Sequence, residues 1–261
     1  MVLAIIIYFF IFMYGAQVMR GVIEEKTNRI VEVIISSVKP FQLMMGKIIG
    51  IALVGLTQFA LWVVLTGGIV MIFMGTVSSD VMDAQAQEMT KMGQVIQVDD
   101  LKGDIAEPNK MLEIMEVIYD INFPKILGMF LFYFLFGYLL YAALFAAIGA
   151  AVDNETDTQQ FMLPITIPLV VSIIVAQFIA QSPEGPISFW FSQIPFTSPV
   201  SMMVRSPHDI PGWELALSMV LLVLTFVALT WLAGRIYRVG ILMYGKKPSY
   251  RDLAKWIRFK G

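Results

Sequence analysis

Five long stretches of this chain contain no Asp, Glu, Lys, Arg or His, and they constrain the fold more than any other feature. They cover residues 1–19, 48–74, 126–152, 161–181 and 215–234. Each is close to the roughly 20 apolar residues that an α-helix needs to cross a bilayer. Backbone polar groups in lipid must be satisfied within the spanning segment, and a helix does this. We therefore predict an all-α polytopic membrane protein with five transmembrane helices.

The composition supports this class. Of the 261 residues, 58% are hydrophobic and 15% are charged, whereas soluble domains carry about 25% charged residues. The first stretch could instead be a signal peptide, but it has no basic start and no small-residue cleavage site, so a span is favoured. The chain has no cysteine, which excludes disulfides, Cys-based metal sites and thiol nucleophiles.

The distribution of Lys and Arg predicts the orientation, because basic loops stay in the cytoplasm. The tail 235–261 has eight basic residues and one acid, and the loop 20–47 has five bases and three acids, so we place both inside. The loop 75–124 has ten acids and three lysines, and 182–214 has Arg205 as its single base, so both are extracytoplasmic. The chain then starts outside and ends inside, as one transmembrane domain over 1–261.

The charge distribution does not show on which side of the membrane the start of the chain and the loop 153–160 lie. The loop holds three acids and no base, and we place it inside only because the helix count requires this. Nothing before the first apolar stretch sets an outside start. We therefore expect upstream sequence with at least one more helix before Met1.

The inside loop 20–47 has the pattern of an amphipathic cytoplasmic helix. Ile23, Ile30 and Val33 recur at near-helical spacing, opposite charged residues. We expect Lys39-Pro40 to end this helix, since proline disfavours helix in the residue before it. The helix could lie on lipid or contact a protein. Its polar face mixes acids and bases, whereas a lipid-surface helix is usually basic, so protein contact is favoured.

The extracytoplasmic segment 182–214 is rich in proline and aromatic residues. Amphipathic aromatic side chains settle at the headgroup level of a bilayer. We therefore predict short broken or re-entrant helices in this segment. Its His208 is the single histidine of the chain, and next to Asp209 it is typical of a solvated turn.

The sequence lacks the residue patterns of several enzyme classes. It has no His-Glu-x-x-His, no Gly-x-Ser-x-Gly and no paired intramembrane carboxylates, so protease and hydrolase functions are disfavoured. Ion-coupled pumps and secondary transporters usually keep ionisable residues inside their spans. We therefore expect the energy source to lie outside this chain, and we expect neither a cofactor in it nor a nucleic-acid partner.

Several motifs resemble the type-2 ABC transporter permeases, the sodium-extrusion branch especially. The first is similar to the segment after the second membrane helix of these permeases, and it consists of Tyr14-Gly15, Ile23-Glu24-Glu25-Lys26, Arg29, Glu32-Val33, Ser36-Ser37, Pro40 and Leu43-x-x-Gly46-Lys47. A second, Ile194-Pro195-Phe196-Thr197-Ser198-Pro199 followed by Arg205, is similar to the outer segment before the last helix of that branch. The tail from Arg235 to Gly245 fits as well. Such permeases usually have six helices and a large extracytoplasmic domain between the first two, and this sequence lacks the first helix and that domain.

The resemblance implies a permease in a bacterial inner membrane that exports an ion or small molecule, sodium on the branch likeness alone. It implies a second permease protomer as homodimer or heterodimer partner, and a cytoplasmic ABC ATPase that holds ATP and Mg²⁺. We expect ATPase coupling at Glu24, Glu25, Lys26, Arg29, Glu32 and Pro40, and an outer gate at Pro195, Phe196, Pro199 and Arg205. The alternative is a membrane scaffold or interaction protein that transports nothing.

Overall fold

The computed structural model describes residues 1–35, 37–92, 123–153, 155–243 and 249–258. Within these ranges every regular element is an α-helix. The helices are α1 (Val2–Thr27), α2 (Ile30–Ile35), α3 (Pro40–Met92), α4 (Phe123–Ala151), α5 (Glu155–Gln181), α6 (Pro186–Gln193), α7 (Ser198–Arg205), α8 (Gly212–Gly240) and α9 (Tyr250–Arg258).

Five of these helices are long and apolar enough to cross a membrane, which confirms the predicted all-α fold with five spans. Their spanning parts are Val2–Thr27, Pro40–Ile72, Pro124–Ala151, Asp157–Gln181 and Gly212–Gly240. Each contains or largely overlaps a stretch that lacks charge in the sequence. The helices extend beyond those stretches because helix formation does not stop where charged residues begin.

The chain divides into two compact units. The first comprises Met1–Gly55 and Phe123–Gly261, and the second comprises Leu56–Asn122. In the second unit, the structure describes the continuation of α3, whose side chains from Leu61 to Ile72 are all exposed. The single permease domain expected over 1–261 stays a prediction.

Helix α4 is the centre of the first unit, with α1 packed on one side and α8 on another. Ala142, Ala146 and Ala150 of α4 are fully buried. Helix α4 comes close to the backbone of α1 at Gly149, where an added Cβ would lie 2.7 Å from the carbonyl oxygen of Met19. The small-residue half of this segment therefore permits direct contact between two helix backbones, as small residues do in membrane bundles.

Helix α3 is held to this core by a hydrogen bond inside the bundle. The Tyr138 hydroxyl donates to the Ile48 carbonyl oxygen at 2.9 Å. Tyr14 lies against Gly55, where an added Cβ would be 3.0 Å from the ring. The backbone of α3 thus contacts α1 at Gly55, which has no side chain, and α4 through the Ile48 carbonyl group.

The helix expected over 20–40 is divided in the structure. Residues 20–27 are the continuation of α1, which ends at Thr27 with Asn28 as its C-cap, and Arg29 has φ 55° before α2 begins at Ile30. Pro40 does not end a helix but is the first residue of α3. Proline suits this position, because the first amides of a helix have no intrahelical acceptor.

Three other boundaries differ from the expected loops. Helix α3 continues to Met92, so the first part of the 75–124 loop is helical, and its residues 93–122 lie outside the described part. No proline or glycine interrupts residues 76–92, which explains the continuation. Helix α5 begins at Glu155 within the expected 153–160 loop, and acids are favoured at a helix start. The tail contains the end of α8 and helix α9.

Candidate docking face and outer segment

The turn between α1 and α2 exposes charged and apolar side chains together. Arg29 adopts a left-handed backbone conformation that costs a non-glycine residue about 1–2 kcal/mol. Its amide donates to the Lys26 carbonyl oxygen at 3.0 Å, and its own carbonyl accepts from the Glu32 amide at 3.2 Å. This turn redirects the chain without glycine, so that α2 leaves the axis of α1.

The exposed side of this turn, which we call the docking face, consists of Glu24, Arg29, Ile30, Glu32 and Val33. The three charged side chains are exposed. Ile30 and Val33 are 46% and 74% exposed, while Val31 is fully buried and attaches α2 to the bundle. Three of the six residues expected to couple to an ATPase are therefore exposed at or next to this turn.

Lys26, which was expected beside them, points into the bundle. Its side chain is 1% exposed, and Nζ forms an ion pair with Asp153 Oδ1 at 2.8 Å. Nζ also donates to the carbonyl oxygens of Ala150 at 2.8 Å and Val152 at 3.3 Å. A cation at the carbonyl end of a helix satisfies groups that have no intrahelical donor. Lys26 therefore caps α4 and is not available to an external partner.

Glu25 and Pro40 are also part of the internal framework. Glu25 Oε2 forms an ion pair with Lys47 Nζ on α3 at 2.7 Å. Pro40 is half-buried at the start of that helix. The last turn of α1 thus contacts α3 through one residue and α4 through the next, and both contacts lie next to the docking face in the chain.

The expected short helices of residues 182–214 are confirmed as α6 and α7, while their re-entrant placement stays a prediction. Helix α7 is buried at every residue, from Ser198 to Arg205. Pro199 packs on Gly137 of α4, where an added Cβ would lie 2.8 Å from the proline ring. The Tyr141 hydroxyl donates to the Phe196 carbonyl oxygen at 2.7 Å. Pro195 is half-buried beside them.

Arg205 is buried, and its expected role in an outer gate stays a prediction. It is 3% exposed and forms an ion pair with Glu214 of α8 through Nη2 at 2.8 Å, while Nη1 donates to Ser192 Oγ at 3.1 Å. The ion pair therefore fastens α7 to the start of α8, and the hydrogen bond fastens it to α6. The structure brings all four expected gate residues onto one packed segment against α4 and α8.

Sequence reasoning missed the partners that fix these residues. Asp153 was counted only as one of three acids in the 153–160 loop, and Glu214 was not singled out. A usable signal existed for Glu214, because an acid in the first turn of a long apolar helix suits the helix dipole. No comparable signal pairs Lys26 with Asp153. Among the described residues, no group of three or more His, Cys, Asp or Glu could hold a metal ion.

Comparison with known proteins gives two matches. Residues 1–235 match the model of a family described as ABC-2 family transporter protein. The chain is 30% identical over 258 residues to the uncharacterized protein YhaP of Bacillus subtilis (strain 168), which covers 98% of this chain and 54% of that protein. The chain thus spans about half the length of this curated relative. No solved structure matches the chain.

Proposed function

Because the chain belongs to the ABC-2 family of transporter proteins, we propose that it is the permease part of an ATP-driven exporter. Its five apolar helices make it a multi-pass membrane protein. In this proposal a separate ABC ATPase binds ATP and Mg²⁺, and substrate leaves between two permease protomers in a bacterial inner membrane. The α1–α2 turn and the C-terminus face the cytoplasm.

The observation that carries the ATPase contact is the docking face. Its charged residues are of both signs, and its apolar residues Ile30 and Val33 are exposed on a helix of only six residues. Exposed apolar side chains beside charges of both signs suit a protein surface better than a lipid surface. The ATPase would contact this face directly.

The same turn offers a route from that contact into the membrane. Glu25 and Lys26 follow Glu24 without a break in α1 and bind α3 and the end of α4. A movement of the docking face would therefore be transmitted to three helices at once. The proposed roles of Glu25 and Lys26 therefore differ from the expected ones. These residues transmit the movement to α3 and α4 and do not contact the ATPase.

The proposed substrate is an ion or a small molecule. The resemblance to the sodium-extrusion branch makes Na⁺ the first substrate to test, and drugs, peptides and lipids follow.

The ion pairs Lys26–Asp153, Glu25–Lys47 and Arg205–Glu214 join charges at the ends of helices. They stabilise the bundle, and the proposal assigns the driving force to ATP.

The test exchanges the charge of the docking face in the full-length protein. We expect Glu24→Lys with Glu32→Lys to reduce co-purification of the ABC ATPase by at least about tenfold, since like charges across an interface cost several kcal/mol. The matched control is Glu184→Lys with Asp209→Lys, two exposed acids of the α6–α7 segment. It should leave the ATPase bound and Na⁺ efflux from cells unchanged.

A second variant separates the shape of the turn from its charge. Arg29→Gly removes the guanidinium but suits φ 55°, so the turn is retained. We expect this protein to fold normally and to bind the ATPase more weakly. Full ATPase binding by both docking-face variants would refute the contact, and a wild-type protein that recovers no ATPase at all would favour the scaffold alternative.

A further inference from the structure

Two exposed tryptophans on α8 mark the two limits of the hydrocarbon layer. Trp213 and Trp231 are 60% and 57% exposed. They lie 18 positions apart on one helix, which at about 1.5 Å per residue is a distance of about 27 Å. This is close to the roughly 30 Å of a bilayer core, and tryptophan prefers the interfaces on both sides. Trp231 therefore lies at the headgroup level of the α9 end.

Basic side chains gather beyond Trp231. The Arg235 guanidinium lies over the Trp231 ring, 3.9 Å from its centroid. Arg238 is exposed in the following turn. Helix α9 folds back onto this end, because a Cβ added at Gly240 would lie 3.2 Å from the Trp256 ring.

Helix α9 adds two more cations to the same end. Arg251 and Lys255 are exposed and four residues apart, so they share one side of the helix. We call Trp231, Arg235, Arg238, Arg251 and Lys255 the basic corner.

The exposed cations of the basic corner are not neutralised within the described part of the chain. No ion pair there involves Arg238, Arg251 or Lys255. The acid of α9, Asp252, accepts a hydrogen bond from the Ser249 amide at 3.1 Å and so caps its own helix. The corner therefore presents net positive charge beside an exposed tryptophan at the level of lipid headgroups.

We propose that the basic corner binds the phosphate of an anionic phospholipid such as phosphatidylglycerol. The guanidinium and ammonium groups contact the headgroup, and the exposed ring of Trp231 lies beside the upper part of the acyl chains. Leu242 and Met243, which are 51% and 40% exposed, provide further apolar surface next to the corner. A lipid satisfies the charged and the apolar parts together, which a free phosphate does not. The inference needs only a membrane-embedded chain and is independent of transport.

The test measures which lipid surrounds Trp231. The full-length protein is reconstituted into phosphatidylcholine vesicles that contain either brominated phosphatidylglycerol or brominated phosphatidylcholine at equal mole fraction. Bromine quenches nearby tryptophan, and the difference from a Trp231→Phe protein isolates the signal of this residue. We expect stronger quenching by the brominated phosphatidylglycerol. High salt should weaken this preference, since exposed charges are screened.

Charge removal tests the assignment to the corner. Each basic residue near an anionic surface raises the association constant about fivefold. Arg251→Gln with Lys255→Gln should therefore lower the preference for phosphatidylglycerol at least about fivefold. The matched control, Arg20→Gln with Lys39→Gln, removes two other exposed bases and should retain it. Equal quenching by the two lipids, or the same loss in the control, would overturn the proposal. An unchanged lipid preference with lost ATPase co-purification would assign the corner to protein contact and also overturn it.

Discussion

Replacing Lys26 with methionine tests whether the end of α1 holds the end of α4. Methionine keeps much of the length and apolar volume of the side chain, so the change removes mainly the charge and its three contacts. Those contacts are the Asp153 ion pair and the bonds to the Ala150 and Val152 carbonyl oxygens. Removing one member of a buried ion pair costs about 3–5 kcal/mol. Asp153 is 26% exposed and can regain water, so we expect the lower limit, about 3 kcal/mol.

The measurement is the reversible unfolding of the full-length protein in mixed detergent micelles, with Asp153→Asn and the double variant completing a thermodynamic cycle. The coupling should lie between about 0.5 and 3 kcal/mol, the range for residues in direct contact. The matched control is Lys39→Met, at an exposed lysine, and it should leave stability nearly unchanged. A loss below about 1 kcal/mol for Lys26→Met would refute the capping argument.

Two further substitutions test the packing at opposite ends of the bundle. Glu214→Gln leaves the buried Arg205 guanidinium without its carboxylate, and we expect a loss of about 3 kcal/mol in the same unfolding measurement. Gly149→Ala places a Cβ 2.7 Å from the Met19 carbonyl oxygen and should cost about 1–3 kcal/mol by forcing α1 from α4. The control Gly46→Ala, with nothing within 4 Å, should be neutral or slightly stabilising, and equal losses at both glycines would contradict the close-approach argument.

The spans could be predicted because their signal is local. A run without ionisable side chains identifies a membrane helix wherever its neighbours lie. The division between α1 and α2 could not be predicted, because Asn28-Arg29 contains neither glycine nor proline, the usual residues at such a break. The strained backbone conformation of Arg29 depends on how the helices pack, and the local sequence does not show this packing.

The docking face was predicted only in part for a related reason. Spacing along the sequence placed Glu24, Glu25 and Lys26 on one helix, which the structure confirms. Consecutive residues on a helix point about 100° apart, so the three cannot share one environment. Which of them turns inward depends on the end of α4, whose carbonyl groups lie more than 120 positions away along the chain.

The unbroken course of α1 would allow it to act as a lever with unequal arms in the proposed exporter. The helix has 26 residues, and the Met19 carbonyl oxygen, which faces Gly149 of α4, lies nearer its docking-face end. The arm from Met19 to Thr27 is about 12 Å long and the arm back to Val2 about 26 Å, at about 1.5 Å per residue. A rotation about that point which displaced the docking face by about 2 Å would displace the opposite end by about 4 Å. In the proposed exporter, a small stroke at one side of the membrane would thereby be doubled at the other.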